Sequence, residues 1–197
     1  MSRPTKEARK VSIMTQALHL FSREGFYATT MPLIARGIGM SVGNLYNYFP
    51  SKESLAKELI LYIAELLGDE IRAINESPLS TRDKIDAIVA MYFRIAQEQP
   101  QTIEYFLRVY LSNREVFRNG CEGMLCVSPF VTELMIFFEE GVRAQELRNQ
   151  DFFSAFGLFM GYLGGMVFLQ GENILPHGLD EYRASISENI YHALKTH

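Results

Sequence analysis

The polar residues between Ser41 and Lys52 have types and spacing suited to hydrogen bonding with a nucleic acid. At about 100° per residue in a helix, Gly43, Tyr46 and Asn47 share one side. An asparagine amide offers a paired donor and acceptor, a tyrosine hydroxyl reaches a phosphate or a base, and a glycine lets the backbone approach closely. The spacing therefore predicts a surface that fits the major groove of DNA.

Two short helices and a turn are predicted to position this surface. Ser41 should cap the helix that carries it, and Thr30 should cap the helix before it, where Pro32 falls in the first turn. A turn over residues 37–40 separates the two, which is the layout of a helix-turn-helix. A small helical hairpin that does not read DNA is the alternative. The apolar residues predicted to hold the two helices are Met31, Ile34, Ala35, Ile38, Leu45, Tyr48 and Phe49.

The N-terminal region is basic although the whole chain is acidic. The net charge of the 197 residues is −4, yet residues 1–60 contain eight Lys/Arg and four Asp/Glu, so the remainder is at −8. The apolar periodicity predicts a first helix from Thr5 to Glu24, ended by Gly25. Basic residues precede or open this helix, where they can touch a phosphate backbone or be solvated. Chance variation of surface charge explains the asymmetry equally well.

The sequence contains little that supports catalysis or metal binding. The four histidines show no metal-ligand spacing, and no nucleophile elbow, phosphate-binding loop or paired-cysteine motif occurs. Cys121 and Cys126 are interpreted as ordinary thiols, although a redox switch is possible. No signal-like run opens the chain, so a cytoplasmic location is expected. We expect no enzyme activity, no metal and no cofactor.

The run from Thr29 to Leu55, TTMPLIARGIGMSVGNLYNYFPSKESL, follows an amphipathic helix that ends in FSREGFYATT. Together these segments closely resemble the N-terminal domain of the tetracycline-repressor (TetR) family of bacterial transcription regulators. About 55 residues carry the resemblance, which departs from the common pattern at Val42. The residues on which it depends are Ala35, Gly39, Ser41, Gly43, Leu45, Tyr46, Tyr48, Phe49 and Lys52.

The resemblance implies an all-α homodimer with a three-helix DNA-binding head (residues 1–50) and a helical effector-binding and dimerisation body (residues 51–197). About nine helices are expected in all. By position, Thr30, Tyr48 and Lys52 would contact phosphates. The predicted DNA-binding set is Thr30, Ser41, Gly43, Asn44, Tyr46, Asn47, Tyr48 and Lys52.

The body is predicted to contain further amphipathic helices. The first runs from Ser51 towards Glu76 and links head to body. Aromatic and soft side chains from several helices could line an effector pocket for a small, largely apolar or aromatic ligand. Core packing explains most of them equally well. The candidate ligand residues are Tyr62, Leu66, Phe93, Phe106, Tyr110, Met135, Phe138, Phe159 and Tyr162.

Residues 152–171 have no charged side chain and are long enough to span a bilayer. Their glycines repeat the small-xxx-small pattern of membrane helix pairs, but the flanks are acidic and no basic cluster lies nearby. A dimer seam with the last helix, from about Leu179 to Leu194, is the preferred interpretation, and packing within one chain is the alternative. The predicted interface residues are Gly157, Gly161, Gly164, Gly165, Tyr182, Ile186 and Ile190.

The combined prediction is a dimeric, ligand-responsive repressor that binds a palindromic operator in double-stranded DNA. Two heads would enter successive major grooves, about 34 Å apart, and an effector would change their separation by moving the helix that follows residue 51. The alternatives are a single-span membrane protein and a helical scaffold that does not read DNA.

Overall fold

The computed structural model describes residues 5–106 and 127–196, and these residues form nine helices. The described ranges contain no strand, only an isolated antiparallel bridge between Leu147 and Lys195. The all-α prediction is confirmed. Tyr110, Cys121 and Cys126, on which predictions were made, lie outside the described residues. The helices are α1 (Lys6–Glu24), α2 (Met31–Gly37), α3 (Val42–Tyr46), α4 (Lys52–Asn75), α5 (Thr81–Glu98), α6 (Pro100–Glu104), α7 (Ser128–Arg143), α8 (Phe152–Gly171) and α9 (Leu179–Leu194).

By their packing, the described residues divide into two compact units. The N-terminal unit comprises residues 5–64, 99–106 and 127, and the C-terminal unit comprises residues 65–98 and 128–196. Helix α4 contributes to both. The predicted boundary after residue 50 therefore differs from this grouping, because the first turns of α4 are buried among the N-terminal helices.

In the N-terminal unit, α1 packs against α2 and α6, and α2 packs against α3. The ends of α1 follow the sequence signals. The Thr5 hydroxyl accepts a hydrogen bond from the Ala8 amide at 3.2 Å, and Gly25 ends the helix with a φ of 82°. Its ψ of 166° is extended, so Gly25 has a positive φ but is not in the left-handed helical conformation. Glycine is the residue for which such a φ costs least.

Tyr105 explains why α6 belongs to the N-terminal unit. Its side chain is fully buried, its ring centre lies 5.9 Å from that of Phe21, and its hydroxyl donates to the Ala56 carbonyl at 2.8 Å. Burial raises the pKa of the Tyr105 hydroxyl above its ordinary value, so the group stays protonated and can donate. One side chain thus connects α1, α4 and the end of α6.

In the C-terminal unit, α9 packs on α5 and α8, and α8 also contacts α5 and α7. The second part of α4 lies close to the start of α7. A Cβ placed on Gly68 would be 3.1 Å from the Pro129 carbonyl carbon, so a side chain there would crowd the α7 backbone. One turn later, Arg72 Nε donates to the Glu133 carboxylate at 2.7 Å, although Glu133 is only 6% exposed.

Candidate functional site

Helix α3 is fixed from its inner side by two fully buried side chains, Leu45 and Phe49. The Ser41 hydroxyl caps its N-terminus by accepting from the Asn44 amide at 3.3 Å. Thr30 caps α2 in the same way, since its hydroxyl accepts from the Leu33 amide at 3.3 Å. Both predicted caps are confirmed, and each leaves an exposed residue at a helix start.

The turn between α2 and α3 depends on Gly39. This residue has a φ of 62°, and the Met40 amide next to it donates to the Ala35 carbonyl at 2.9 Å. A residue with a side chain is strained at that φ. Gly39 therefore lets the chain reverse closely enough for α3 to pack on α2, as the helix-turn-helix prediction required.

The outward side of α3 is polar and accessible. Gly43, Asn44, Tyr46 and Asn47 are exposed, and Tyr46 has 47% of its surface accessible. A Cβ on Gly43 would meet no atom within 4 Å. Within the described part of the chain, neither asparagine side chain makes a hydrogen bond. These donors and acceptors are thus available to a partner. Tyr48 is half-buried, as its place beside the apolar side of the helix suggests.

The Lys52 ammonium makes contacts within the chain that the sequence did not predict. Its ammonium donates to the carbonyl oxygens of Phe26 at 2.8 Å and Thr29 at 2.9 Å, and it lies 4.3 Å from the centre of the Phe26 ring. The Tyr27 carbonyl lies 3.5 Å away. An ammonium has three donors, and here the backbone between α1 and α2 engages them. Lys52 thus has a structural role that the predicted phosphate contact did not include.

A shallow depression of about 350 Å³ brings together three members of the predicted DNA-binding set, Thr30, Tyr46 and Lys52. It is open to solvent and is bordered by the starts of α2 and α4. Hydroxyl groups and one ammonium suit phosphate oxygens, whereas the Glu53 carboxylate on the rim does not. The other lining residues are Met31, Pro32, Pro50 and Ser51.

The predicted ligand residues that the structure describes differ in how far they are buried. Phe93 and Phe159 are fully buried, Phe138 is 7% exposed, and Tyr62 and Met135 are exposed. Leu66, Phe106 and Tyr162 are half-buried, and the Tyr162 hydroxyl accepts from the Asn189 side chain at 3.0 Å. Phe159 packs against Phe138 at 6.1 Å between ring centres, so its place is the core of the C-terminal unit.

Of the predicted set, Met135 and Phe138 line a cavity of about 440 Å³ between the C-terminal half of α7 and the first turn of α8. We call it the α7–α8 cavity. Its polar rim, formed by the end of α7 and the segment after it, contains two arginines and was not predicted from the sequence. Its remaining lining residues are Glu139, Val142, Arg143, Leu147, Arg148, Asn149, Gln150, Phe152 and Ala155.

Only part of the predicted dimer set is available to a second chain. Gly157, Gly161 and Gly165 are exposed, and a Cβ on each would meet nothing within 4 Å. Ile186 and Ile190 are 2% and 0% exposed, because α9 directs them towards α5 and α8 of the same chain. Gly164 is buried and Tyr182 is half-buried. Ile186, Ile190 and Gly164 are therefore corrected to residues of the subunit's own core.

Helix α8 is long and apolar enough to cross a membrane by length and composition alone. Only 22% of the most apolar 18-residue stretch of α8 is buried, and the side chains of Phe153 and Phe168 are more than half exposed. The buried side packs through Ala155, Phe159 and Leu163. The helix therefore has one side in the core of the C-terminal unit and one apolar side that the described residues leave uncovered.

The segment that forms the candidate interface matches a known family. Residues 13–59, from α1 to the early turns of α4, match the bacterial regulatory proteins of the tetR family. The nucleoid occlusion factor SlmA of Haemophilus ducreyi is 29% identical over 153 residues, which cover 78% of this chain and 72% of that protein. The HTH-type transcriptional regulator BetI of Rhizobium meliloti is 33% identical over 105 residues, which cover 52% of this chain and 50% of that protein.

The fold is also similar to solved structures. The transcriptional regulator FadR from Bacillus subtilis, in complex with stearoyl-CoA, matches with a TM-score of 0.78 and 17% identity over 92% of this chain and 97% of that one. At this identity the similarity concerns the fold alone. The chain covers most of the SlmA sequence but only half of BetI.

Proposed function

Because the chain is a member of the TetR family of bacterial transcriptional regulators, we propose that it is a cytoplasmic, ligand-responsive repressor of transcription. It binds a palindromic operator in double-stranded DNA as a homodimer and is not an enzyme. The exposed polar side of α3, held by the buried Leu45 and Phe49, is the observation that supports this proposal most directly.

The DNA contacts divide into two kinds. Asn44, Tyr46 and Asn47 meet base edges in the major groove, and Gly43 lets the α3 backbone approach it. Thr30, Ser41 and Tyr48, together with the depression beside Tyr46, position the protein on phosphates. Lys52 adds positive charge there while it holds the turn before α2.

The homodimer is proposed from the exposed side of α8. Its glycines form a groove without side chains, where a second helix can approach closely. Its exposed Phe153 and Phe168 form apolar surface of the kind that is buried in a protein interface. A lipid membrane is a less suitable partner for this apolar side of α8 than a second copy of the chain. The neighbouring helix α9 carries charged side chains, such as those of Glu181 and Arg183, and insertion of α8 would bring them into lipid.

The proposed effector acts through α4, which contributes to both units. B. subtilis FadR was solved with stearoyl-CoA, a molecule with a large apolar part. The aromatic lining of the C-terminal unit supports a small, apolar or aromatic effector for this chain, and that structure is a precedent only for an effector with an apolar part. Such a ligand changes operator affinity only if it prefers one of two conformations.

The test of DNA binding begins with selection of a binding site from random duplexes, followed by titration of the selected site. Tyr46→Ala and Asn47→Ala should each weaken that site by about 1–3 kcal/mol, with folding unchanged because neither side chain is buried. Tyr62→Ala is the matched control, since Tyr62 is similarly exposed, at 43%, but lies on α4. Undiminished affinity in both α3 variants would show that α3 does not read DNA. Failure to select any site would contradict the proposed function as a whole.

A further inference from the structure

The α7–α8 cavity has the size of a small-molecule site. Its volume of about 440 Å³ falls in the range of roughly 300–1,000 Å³ that is typical of ligand pockets. It lies wholly within the C-terminal unit and opens to solvent on one side. The residues of α7, of the segment 144–151 and of the first turns of α8 divide it into an apolar floor and a polar rim.

The floor is aromatic. The Phe138 and Phe152 rings lie 6.0 Å apart with an interplanar angle of 72°, an edge-to-face pair. Leu147 and Ala155 are buried beside them, and Met135 adds a flexible thioether. Aromatic rings and methionine sulfur favour a flat aromatic partner over a purely polar one.

The rim is basic, and no carboxylate among the described residues forms an ion pair with its arginines. Four arginines of the C-terminal unit have a carboxylate partner: Arg72, Arg82, Arg94 and Arg183. The two that line the cavity, Arg143 and Arg148, have none among the described residues. Arg148 Nε instead donates to the Gln150 side chain at 3.0 Å, which orients its guanidinium. Among the described residues of the lining, Glu139 is the only acidic one.

We infer that the α7–α8 cavity binds a small aromatic carboxylate. Its ring lies against Phe138 and Phe152, and its carboxylate accepts hydrogen bonds from Arg143 and Arg148. Guanidinium groups bind carboxylates through paired, charge-assisted hydrogen bonds, and Asn149 supplies a further donor at the rim. An aromatic ring attached to the anion excludes water from these bonds and strengthens them.

As the class of effector, this inference rests on the proposed function, but binding itself does not. Titration calorimetry of the full chain without DNA uses naphthalene-2-carboxylate as the probe. Naphthalene-2-carboxamide keeps the ring without the charge, acetate keeps the carboxylate without the ring, and inorganic phosphate supplies a different anion. The carboxylate should bind once per chain and at least about tenfold more tightly than each comparison compound. Equal binding of the carboxamide or of phosphate would overturn the inference.

Variants locate the site. Arg143→Gln, on the exposed rim, should weaken naphthalene-2-carboxylate binding about tenfold and leave carboxamide binding unchanged. Val142→Phe, at a half-buried lining position, should weaken both compounds by filling space. Arg23→Gln is the matched control, because Arg23 is an exposed arginine of the N-terminal unit. Wild-type affinity in both Arg143→Gln and Val142→Phe would contradict the assignment to this cavity.

The experiments can contradict the proposed carboxylate site and the proposed DNA-binding function independently of each other. If the chain binds its selected operator but not naphthalene-2-carboxylate, the inferred ligand class is wrong and the proposed function as a DNA-binding regulator is unaffected. If it binds the carboxylate but no DNA duplex, the cavity assignment stands and the proposed function is wrong. When both bind, saturating naphthalene-2-carboxylate should change operator affinity at least fivefold, and no change would show that this ligand class is not the effector.

Discussion

The Lys52 ammonium lies 4.3 Å from the centre of the Phe26 ring and donates to the Phe26 carbonyl oxygen at 2.8 Å. It also donates to the Thr29 carbonyl. The first residue of α4 thus holds the segment between α1 and α2, and that segment sets where α2 begins. One side chain therefore supports the helix-turn-helix from a position outside it.

Replacing Lys52 with methionine should destabilise the N-terminal unit. Methionine keeps most of the apolar length of the side chain but removes the hydrogen bonds of the ammonium to the three backbone carbonyls, which should lower the free energy of unfolding by about 1–3 kcal/mol. Denaturant unfolding followed by circular dichroism measures this change. Lys57→Met is the control, since Lys57 is also half-buried on α4 but has no ion pair among the described residues. Equal stability of the two variants would show that the Lys52 contacts contribute little.

A DNA experiment separates the two roles of Lys52. If it also contacts phosphate, Lys52→Met should reduce the slope of log affinity against log salt by about one. If its ammonium serves only the turn, affinity should fall at every salt concentration with the slope unchanged. A variant that is destabilised yet binds DNA like the wild type would contradict any role of Lys52 in DNA binding and leave only its role in stability.

Gly161 should decide the oligomeric state. A leucine there places a bulky side chain in the middle of the glycine groove of α8, so Gly161→Leu should yield monomers in sedimentation and lose tight operator binding. Within one chain a Cβ at this position meets nothing within 4 Å. Gly161→Ala should therefore stabilise the isolated subunit by about 1 kcal/mol through helix propensity.

The control for the groove is Gly171→Leu. Gly171 ends the same helix, also has open space around its Cβ position, and does not follow the four-residue spacing of the other exposed glycines. The Gly171→Leu substitution should leave self-association of the protein unchanged. If the Gly161→Leu protein sediments as a dimer, the proposed dimer interface on α8 is wrong.

Local signals in the sequence predicted the helices well. The predicted α1 from Thr5 to Glu24 is observed from Lys6 to Glu24, and the predicted α9 from Leu179 to Leu194 is observed with those bounds. Caps, breakers and apolar periodicity act over a few residues, so the sequence carries them directly. The outward side of α3 follows from the same periodicity.

The sequence could not assign partners that are distant along the chain. Ile186 and Ile190 form an apolar stripe whether α5 of the same chain or a second copy covers it, and the structure shows α5 and α8 beside α9. Lys52 presents a similar limit, because the carbonyls it contacts belong to residues more than twenty positions earlier. The α7–α8 cavity likewise depends on how segment 144–151 folds back, which periodicity does not encode.

The Arg72–Glu133 pair should contribute more to stability than an exposed pair of the same geometry. Glu133 is 6% exposed, and Asn75 also donates to its carboxylate at 3.2 Å. Removal of Arg72 leaves this buried carboxylate without its charged partner. Arg72→Met should thus lower Tm by several degrees more than Arg94→Met, which breaks the exposed pair with Glu70. The double change Arg72→Met with Glu133→Leu should recover most of the loss, and a double variant less stable than Arg72→Met would contradict this account.

Asp86 should make the attachment of α9 to α5 sensitive to acid. The Arg183 guanidinium, which donates from Nε at 3.1 Å, holds the pKa of the Asp86 carboxyl below its ordinary value of 3.8, and the Ser187 hydroxyl adds a hydrogen bond at 3.0 Å. Between the lowered value and 3.8 the carboxyl is ionised in the folded chain and protonated in the unfolded one. Its contribution to stability is therefore fully present above 3.8 and is lost as the pH falls through the folded pKa. The free energies of unfolding of wild type and Asp86→Asn should differ by a constant amount at higher pH and converge below 3.8. Parallel curves for wild type and the Asp86 variant would show that Arg183 does not stabilise the ionised form.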